Sequence, residues 1–193
     1  DLARMLYGGL KIKAILSLPF KSKKNTTVDI WSCNQIRFIN GFGAGFDGAI
    51  AKKTQSKTFL FSSKTKYWVE ILKQILFFRS PKIEVNGQKI AIFMIAAANG
   101  KNYGGGFQVA PLAKINDKQL EFIQCKNINT PLRLFYLPLV KAGKHLNKKA
   151  INYKRVNELK IRSNYPLPAH LDGEPLCEKN YHIKYENQIR ILV

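Results

Sequence analysis

Acidic residues are scarce: the 193-residue chain holds 12 Asp plus Glu against 32 Lys plus Arg, a formal charge of +20. So lopsided a balance argues against an acidic or self-neutralising surface and predicts attraction to something anionic, whether nucleic acid, phosphorylated small molecules or acidic lipid. Charge alone does not choose among them, and a solubilising lysine-rich surface would look the same. Cysteine is also sparse. Cys33, Cys125 and Cys177 are far apart, odd in number and without a C-x-x-C. That excludes a disulfide framework and a cysteine zinc site, and suits a reducing cytoplasm. His145, His170 and His182 are equally scattered, so no Cys/His zinc spacing exists. Long apolar runs are missing. The longest, Ile90 to Ala98, has nine residues, where a membrane-spanning helix needs about 20. The opening Asp1-Leu2-Ala3-Arg4 does not read as a signal peptide. Internal repeats and low-complexity tracts are absent as well.

What is there is ordinary globular material, with 46% hydrophobic residues. The length suits one domain, or one domain plus a fragment of a second. Residues 1–19 show mostly helical apolar spacing, broken at Gly8-Gly9 and closed by Pro19. Val28 to Trp31 and Gln35 to Asn40 read as a hairpin. Gly41 to Gly48 carries four glycines and reads as a tight strand-to-helix crossover or a place of close approach. Residues 64–79 form the clearest helix, with Tyr67, Trp68, Ile71, Leu72, Ile75 and Leu76 on one stripe. That helix packs on a sheet or, being basic and amphipathic, touches a membrane. Lys82 to Val85, Asn86-Gly87 and Lys89 to Ala97 predict a second hairpin. Phe107 to Val109 and Leu120 to Lys126 follow as strands. A helix is expected from Thr130 as N-cap with Pro131 at its first position, stopping near Gly143. Ala150 to Ser163 and Tyr181 to Val193 alternate like strands. Many short strands with few helices predict an antiparallel two-sheet β-sandwich or a barrel.

Three stretches can carry chemistry. Leu171-Asp172-Gly173-Glu174-Pro175 reads as an Asp-Gly hairpin turn. Alternatively, Asp172 and Glu174 stand two residues apart, and in extended chain such positions share a face, so both could enter one cleft. An aspartate there could position a hydroxyl nucleophile and accept its proton late in phosphoryl transfer. Lys114 to Leu120 is a plain turn, or a loop whose one carboxylate and two carbonyls hold a hard cation. Asn99-Gly100 and Gly104-Gly105-Gly106 offer no side-chain chemistry, but they let a substrate or another backbone come close.

In order and spacing these pieces resemble the C-terminal part of the diacylglycerol kinase/sphingosine kinase-like lipid kinases, especially the soluble bacterial branch. The matching pieces are Asp1-Leu2-Ala3-Arg4, Val28-Asp29-Ile30, Gly45-Phe46-Asp47-Gly48, Asn99-Gly100, Gly104-Gly105-Gly106, Asn116-Asp117, Gly143-Lys144-His145 and Asp172-Gly173-Glu174. The resemblance implies a β-sandwich that binds lipid and supplies catalytic carboxylates, joined to an N-terminal nucleotide domain whose Gly-Gly-Asp-Gly-Thr signature this sequence does not contain. It divides the chain into 1–20 (the end of that nucleotide domain and a linker), 21–180 (the sandwich) and 181–193 (a strand returning toward the first domain).

By the same resemblance, Asp172 is the proton acceptor, Glu174 its acidic partner near a catalytic magnesium, and Asp29 a member of that network. Lys114, Asp117 and Gln119 match a structural magnesium site, with Lys118 where the family has glycine. Asp1, Asp47 and Gly105 would lie toward the substrate cleft. The implied cosubstrate is ATP with Mg²⁺, and the implied partners are a lipid alcohol and an anionic membrane surface. The enzyme would be cytoplasmic and peripheral to the membrane, with this fragment inactive alone. An exposed sheet edge could also pair two copies.

Two other readings stay open. One is a non-catalytic lipid- or membrane-binding β-domain. The other is a basic nucleic-acid-binding β-domain using some of the 12 Phe, 8 Tyr and 2 Trp as stacking platforms. Against the latter, the cations are spread along the whole chain and no RNP-like motif occurs.

Overall fold

In the computed structural model, residues 25–54, 64–102 and 106–192 are described. The helix expected over 1–19, with Asp1, and also Gly105, lie outside them.

Strand β1 (Asn25–Cys33) turns at Asn34-Gln35 into the short β2 (Ile36–Phe38). The glycine-rich strand β3 (Gly41–Gly45), whose one large side chain is Phe42, then runs straight into helix α1 (Phe46–Thr54), the crossover expected from its glycines. Helix α2 (Lys64–Phe77) follows, then the hairpin of β4 (Lys82–Val85) and β5 (Gln88–Ala98). Asn86 and Gly87, with φ of 47° and 85°, make the primed turn that an Asn-Gly pair favours. Strand β6 (Leu120–Lys126), helix α3 (Thr130–Lys141) and strands β7 (Ile151–Val156), β8 (Glu158–Leu171) and β9 (Glu174–Leu192) complete the described chain.

All strand pairs are antiparallel, in the order β2-β1-β9-β8-β3-β5-β6-β7, with β4 pairing β5 and β8. The sheet folds over on itself. One apolar cluster joins Trp31, Cys33 and Ile183 from one end to Ile95, Leu120 and Phe122 from the other, so the two ends face each other across a filled core. That is the β-sandwich expected from sequence. Strand β9, expected to return toward another domain, pairs with β8 and then with β1 as far as Asn25 opposite Leu192.

Period 2 sorts strand β5 between two environments. Ile95 and Ala97 enter the inter-sheet core. Ala96 and Ala98 point to the opposite face, where they meet Phe107, Val109, Ala110 and Ala113, with Leu137 and Val140 of α3 packed against the group. Phe107 to Val109 is therefore not a strand as expected: it is irregular backbone whose apolar side chains pack under a helix. Helix α3 also starts one residue earlier than expected. Its N-cap is Asn129, whose side chain accepts the Leu132 N–H, which moves Pro131 inside the first turn. Helix α1 lies close against β8, and a Cβ at Gly48 would come 2.2 Å from the Pro168 carbonyl oxygen. No helix among the described residues is long and apolar enough to cross a membrane.

Candidate active site

Asp172 and Gly173 form the two-residue turn between β8 and β9, with φ of 51° and 96°. Asp tolerates the left-handed region better than most residues, and Gly fits it freely. The hairpin reading of this motif is therefore right, and the turn also does something further. The Asp172 carboxylate reaches the β2–β3 junction. Its Oδ1 accepts the N–H of Asn40 and of Gly41, each at 2.8 Å, and its Oδ2 accepts the N–H of Ile39 at 2.8 Å. The Asp172 N–H donates back to the Gly41 carbonyl at 2.9 Å. A carboxylate has about four acceptor positions. Three backbone donors leave one, on Oδ2, open to a hydroxyl.

The same 39–41 segment is held from its other side by the Asn99-Gly100 pair. Both backbone N–H groups donate to the Asn40 carbonyl at 2.9 Å. The buried Asn99 side chain donates to the carbonyls of Ile39, at 2.8 Å, and Asp29, at 3.2 Å. Asn99-Gly100 therefore fixes the cradle on which Asp172 rests.

Beside the turn sits a pair that sequence reasoning only half found. His170 is buried, and its Nε2 is 3.0 Å from the Asp47 Oδ2. Burial works against an imidazolium here, but the charge and hydrogen bond of Asp47, with Asp172 nearby, outweigh it and raise the His170 pKa. The Gly173 N–H donates to His170 Nδ1 at 3.3 Å, a bond that only the neutral ring accepts. A Cβ at Gly43 would stand 2.3 Å from the Asp47 oxygen and 2.4 Å from His170 Nε2, so the missing side chain makes room for the pair. Asp47 was among the expected cleft residues. His170 was not, although its place two residues before Asp172 in β8 was a usable signal.

Asp47, His170, Asp172 and Gly173 together line part of a cavity of about 510 Å³. Most of the remaining wall is apolar, with Asn40, Arg133 and His145 as its other polar members. Phe93, Met94 and Ile123 come from the sheet, Phe46 and Ile50 from α1, Ile71 and Ile75 from α2, and Tyr136, Leu137 and Val140 from α3. Phe46 and Phe93 stack at 4.6 Å, with Phe78 edge-on to both. Cys125 also lines the wall, its thiol pushed up to about 12 by burial, so it acts as an apolar neighbour. One cation lines it too. The Arg133 guanidinium lies 4.7 Å from the Phe93 ring centroid and donates to the carbonyls of Ile75, Phe78 and Ile128, tying the end of α2 to the start of α3.

The other expected site residues gather elsewhere. Asp29 is fully buried on β1. Its Oδ2 accepts the Lys118 N–H at 2.7 Å and its Oδ1 accepts from Gln188 Nε2 at 2.8 Å. Its carboxylate thus holds the 114–119 loop, while its backbone carbonyl is linked to Asp172 through the Asn99 side chain and the Ile39 backbone. Glu174 is exposed, opposite Leu171 across the turn. Lys118 takes the left-handed conformation, φ 58°, that its glycine counterpart would adopt more easily.

Asp117, in the same loop as Lys114 and Gln119, does not present a free carboxylate. Its Oδ2 is paired with the Arg155 guanidinium and its Oδ1 accepts the Gln119 N–H at 3.2 Å. Arg155 also reaches Glu121, its cross-strand neighbour, at 3.3 Å. As arranged, this loop fits a guanidinium and not a divalent cation, which would have to displace it. At the turn, Asp172 is mostly occupied by backbone donors. Among the described residues no group of three or more His, Cys, Asp or Glu could hold a metal.

Comparison with known proteins agrees with the fold. Residues 41–191 match the family model described as "YegS C-terminal NAD kinase beta sandwich-like domain". The chain belongs to that family. A "Probable lipid kinase YegS-like" protein of Chromohalobacter salexigens is 34% identical over 96 residues, covering 49% of this chain and 30% of the relative. The "Diacylglycerol kinase" of Bacillus subtilis is 24% identical over 153 residues, covering 76% of this chain and 50% of the relative. A YegS-like relative of Yersinia pestis is 27% identical over 185 residues, covering 91% of this chain and 59% of the relative. The chain thus spans about half the length of the curated relatives it matches. Its fold is similar to a crystal structure of a diacylglycerol kinase from Bacillus anthracis, with a TM-score of 0.56, 18% identity, and coverage of 84% of this chain and 51% of that one.

Proposed function

We propose that this YegS-type domain is the lipid-binding and catalytic half of an ATP-dependent lipid kinase. The observation that supports this most is the alignment of the cavity with the turn. A largely apolar volume suited to an aliphatic tail is lined, beside the turn, by a carboxylate with one acceptor position unused. A lipid whose tail lies under α2 and α3 would bring its hydroxyl to Asp172 Oδ2. The hydroxyl oxygen attacks the γ-phosphorus of ATP, the bond to the leaving ADP oxygen breaks, and the hydroxyl proton passes to Asp172 late in the transfer. The backbone cradle of residues 39–41 fixes the carboxylate's position, and positioning supplies most of what a phosphoryl transfer asks of protein side chains. The His170–Asp47 pair braces the turn from the cavity side.

ATP would be bound mostly by a nucleotide domain outside this chain, so the chain alone should turn over slowly or not at all. The assay is phosphate transfer from ATP to a panel of lipid alcohols by the full-length protein. Transfer to one class of lipid should fall at least ~100-fold in Asp172→Asn, which cannot take a proton and turns one oxygen acceptor into a donor facing N–H groups. A panel with no phosphorylated member, from a protein that still binds the lipids, would leave a non-catalytic lipid-binding domain as the reading.

A further inference from the structure

The helices that roof the cavity have a second apolar face. On α2, Ile71 and Ile75 turn inward and are buried, while Val69, Leu72 and Leu76, at positions i, i+3 and i+7, are 44%, 42% and 47% exposed. Phe77 at the helix end is 78% exposed. On α3, Arg133 and Tyr136 turn inward, while Leu134 and Phe135 are 39% and 58% exposed. The described side chains of α1 and α2 meet at Ile50, Ile71 and Ile75, with Leu137 of α3 packed on them, so the outward stripes belong to one helical layer. Scattered single exposed apolar residues need no explanation, but a stripe on one helix beside further exposed apolar residues on the adjoining one does.

The charge around this layer has one sign. From Ile71 to Ile83 the chain carries Lys73, Arg79 and Lys82 and no acid. From Lys126 to Ala150, apart from the inward Arg133, it carries Lys126, Lys141, Lys144, Lys148 and Lys149 and again no acid. Lys52 and Lys53 close α1 on the same layer. Glu70 is the one acidic residue in the α2 sequence. Exposed Leu and Phe ringed by Lys is the pattern that seats an amphipathic surface at the headgroup boundary of an anionic bilayer.

We propose that the outer face of α2 and α3 docks on an anionic phospholipid bilayer, with Leu72, Leu76, Phe77 and Phe135 entering the headgroup boundary and the surrounding lysines meeting the lipid phosphates. This deepens the lipid-kinase reading and rests on it only for its purpose. Docked this way, the helices separating the cavity from solvent lie at the membrane, so a lipid passes from bilayer to cavity without its tail crossing water.

The test measures binding of the full-length protein to sedimenting vesicles of phosphatidylglycerol with phosphatidylcholine, and to vesicles of phosphatidylcholine alone. Binding should need the anionic lipid and weaken with salt. The triple variant Leu76→Ser/Phe77→Ser/Phe135→Ser should lose at least tenfold in vesicle affinity while keeping its melting temperature. It should also keep phosphate transfer to a short-chain, water-dispersed lipid alcohol. Lys73→Glu/Lys144→Glu, at two exposed lysines, should lose binding to anionic vesicles by a similar factor, so a folding defect in the first variant would not leave the idea untested. Vesicle binding unchanged in both variants overturns the proposal. So does a wild type that is a dimer in solution and that the serine variant makes monomeric, because a second copy would then cover the face. Loss of vesicle binding in a protein that phosphorylates no lipid would keep the docking face and reject the kinase reading.

Discussion

One face of the sheet is closed and the other is open. Between the layers, Trp31, Phe42, Phe122 and Tyr181 are fully buried in one apolar cluster built by strands from both ends of the sheet. On the outer face, three helices stand off the sheet around a cavity of about 510 Å³. The same strands build both faces, with alternate residues of β5 and β6 assigned to one or the other. The comparison separates two uses of apolar residues. Inside, they fill space and stabilise the fold. Outside, they line space and keep it vacant for something else.

Substitutions can sharpen that division. The largest effect should come from the closed face: Phe122→Ala should destabilise the domain by ~3–5 kcal/mol, read as a fall in the denaturant midpoint, because close packing around the ring leaves a hole that cannot collapse. On the open face a larger side chain should be tolerated. Val140→Phe, pointing into vacant volume, should change stability by less than ~1.5 kcal/mol while blocking lipid binding, since overpacking costs arise only where space is already filled. If Val140→Phe unfolded the domain as Phe122→Ala does, the two faces would not differ as described. The smallest effect concerns pH. The His170 pKa is raised in the folded state, so its protonation stabilises the fold. That contribution is fully present below about 6.5, the unfolded histidine value, and is lost as pH rises through the raised folded value. His170→Gln should flatten this part of the stability–pH curve, measured by denaturant unfolding at a series of pH values.

Much of the closed face was legible in the sequence. Asn86-Gly87 and Asp172-Gly173 mark their turns because few residue pairs suit a two-residue hairpin. Strand Leu120–Lys126 and helix Lys64–Phe77 follow from their periods. Phe107 to Val109 misled because three residues carry too little periodicity to separate a strand from apolar backbone packed under a helix. The site was legible only in its side chains. Asp172 stood out in the sequence, but the N–H groups of Ile39, Asn40 and Gly41 that receive it belong to the backbone, which sequence does not distinguish. Arg155 escaped notice for a different reason. It meets Asp117 because the β6–β7 register sets it opposite Glu121, and that pairing exists only in the folded sheet.

On the proposed lipid-kinase reading, the open face holds the tail of the lipid whose hydroxyl meets Asp172. The most direct test of that reading is the dependence of KM on acyl chain length for phosphate transfer by the full-length protein, in the wild type and in Val140→Phe. In the wild type, each added methylene that enters the cavity should lower KM by roughly fourfold, corresponding to ~0.8 kcal/mol per buried methylene, until the cavity is full. In Val140→Phe that gain should stop several methylenes sooner. Identical chain-length profiles for the two proteins would contradict the account and place the lipid tail elsewhere.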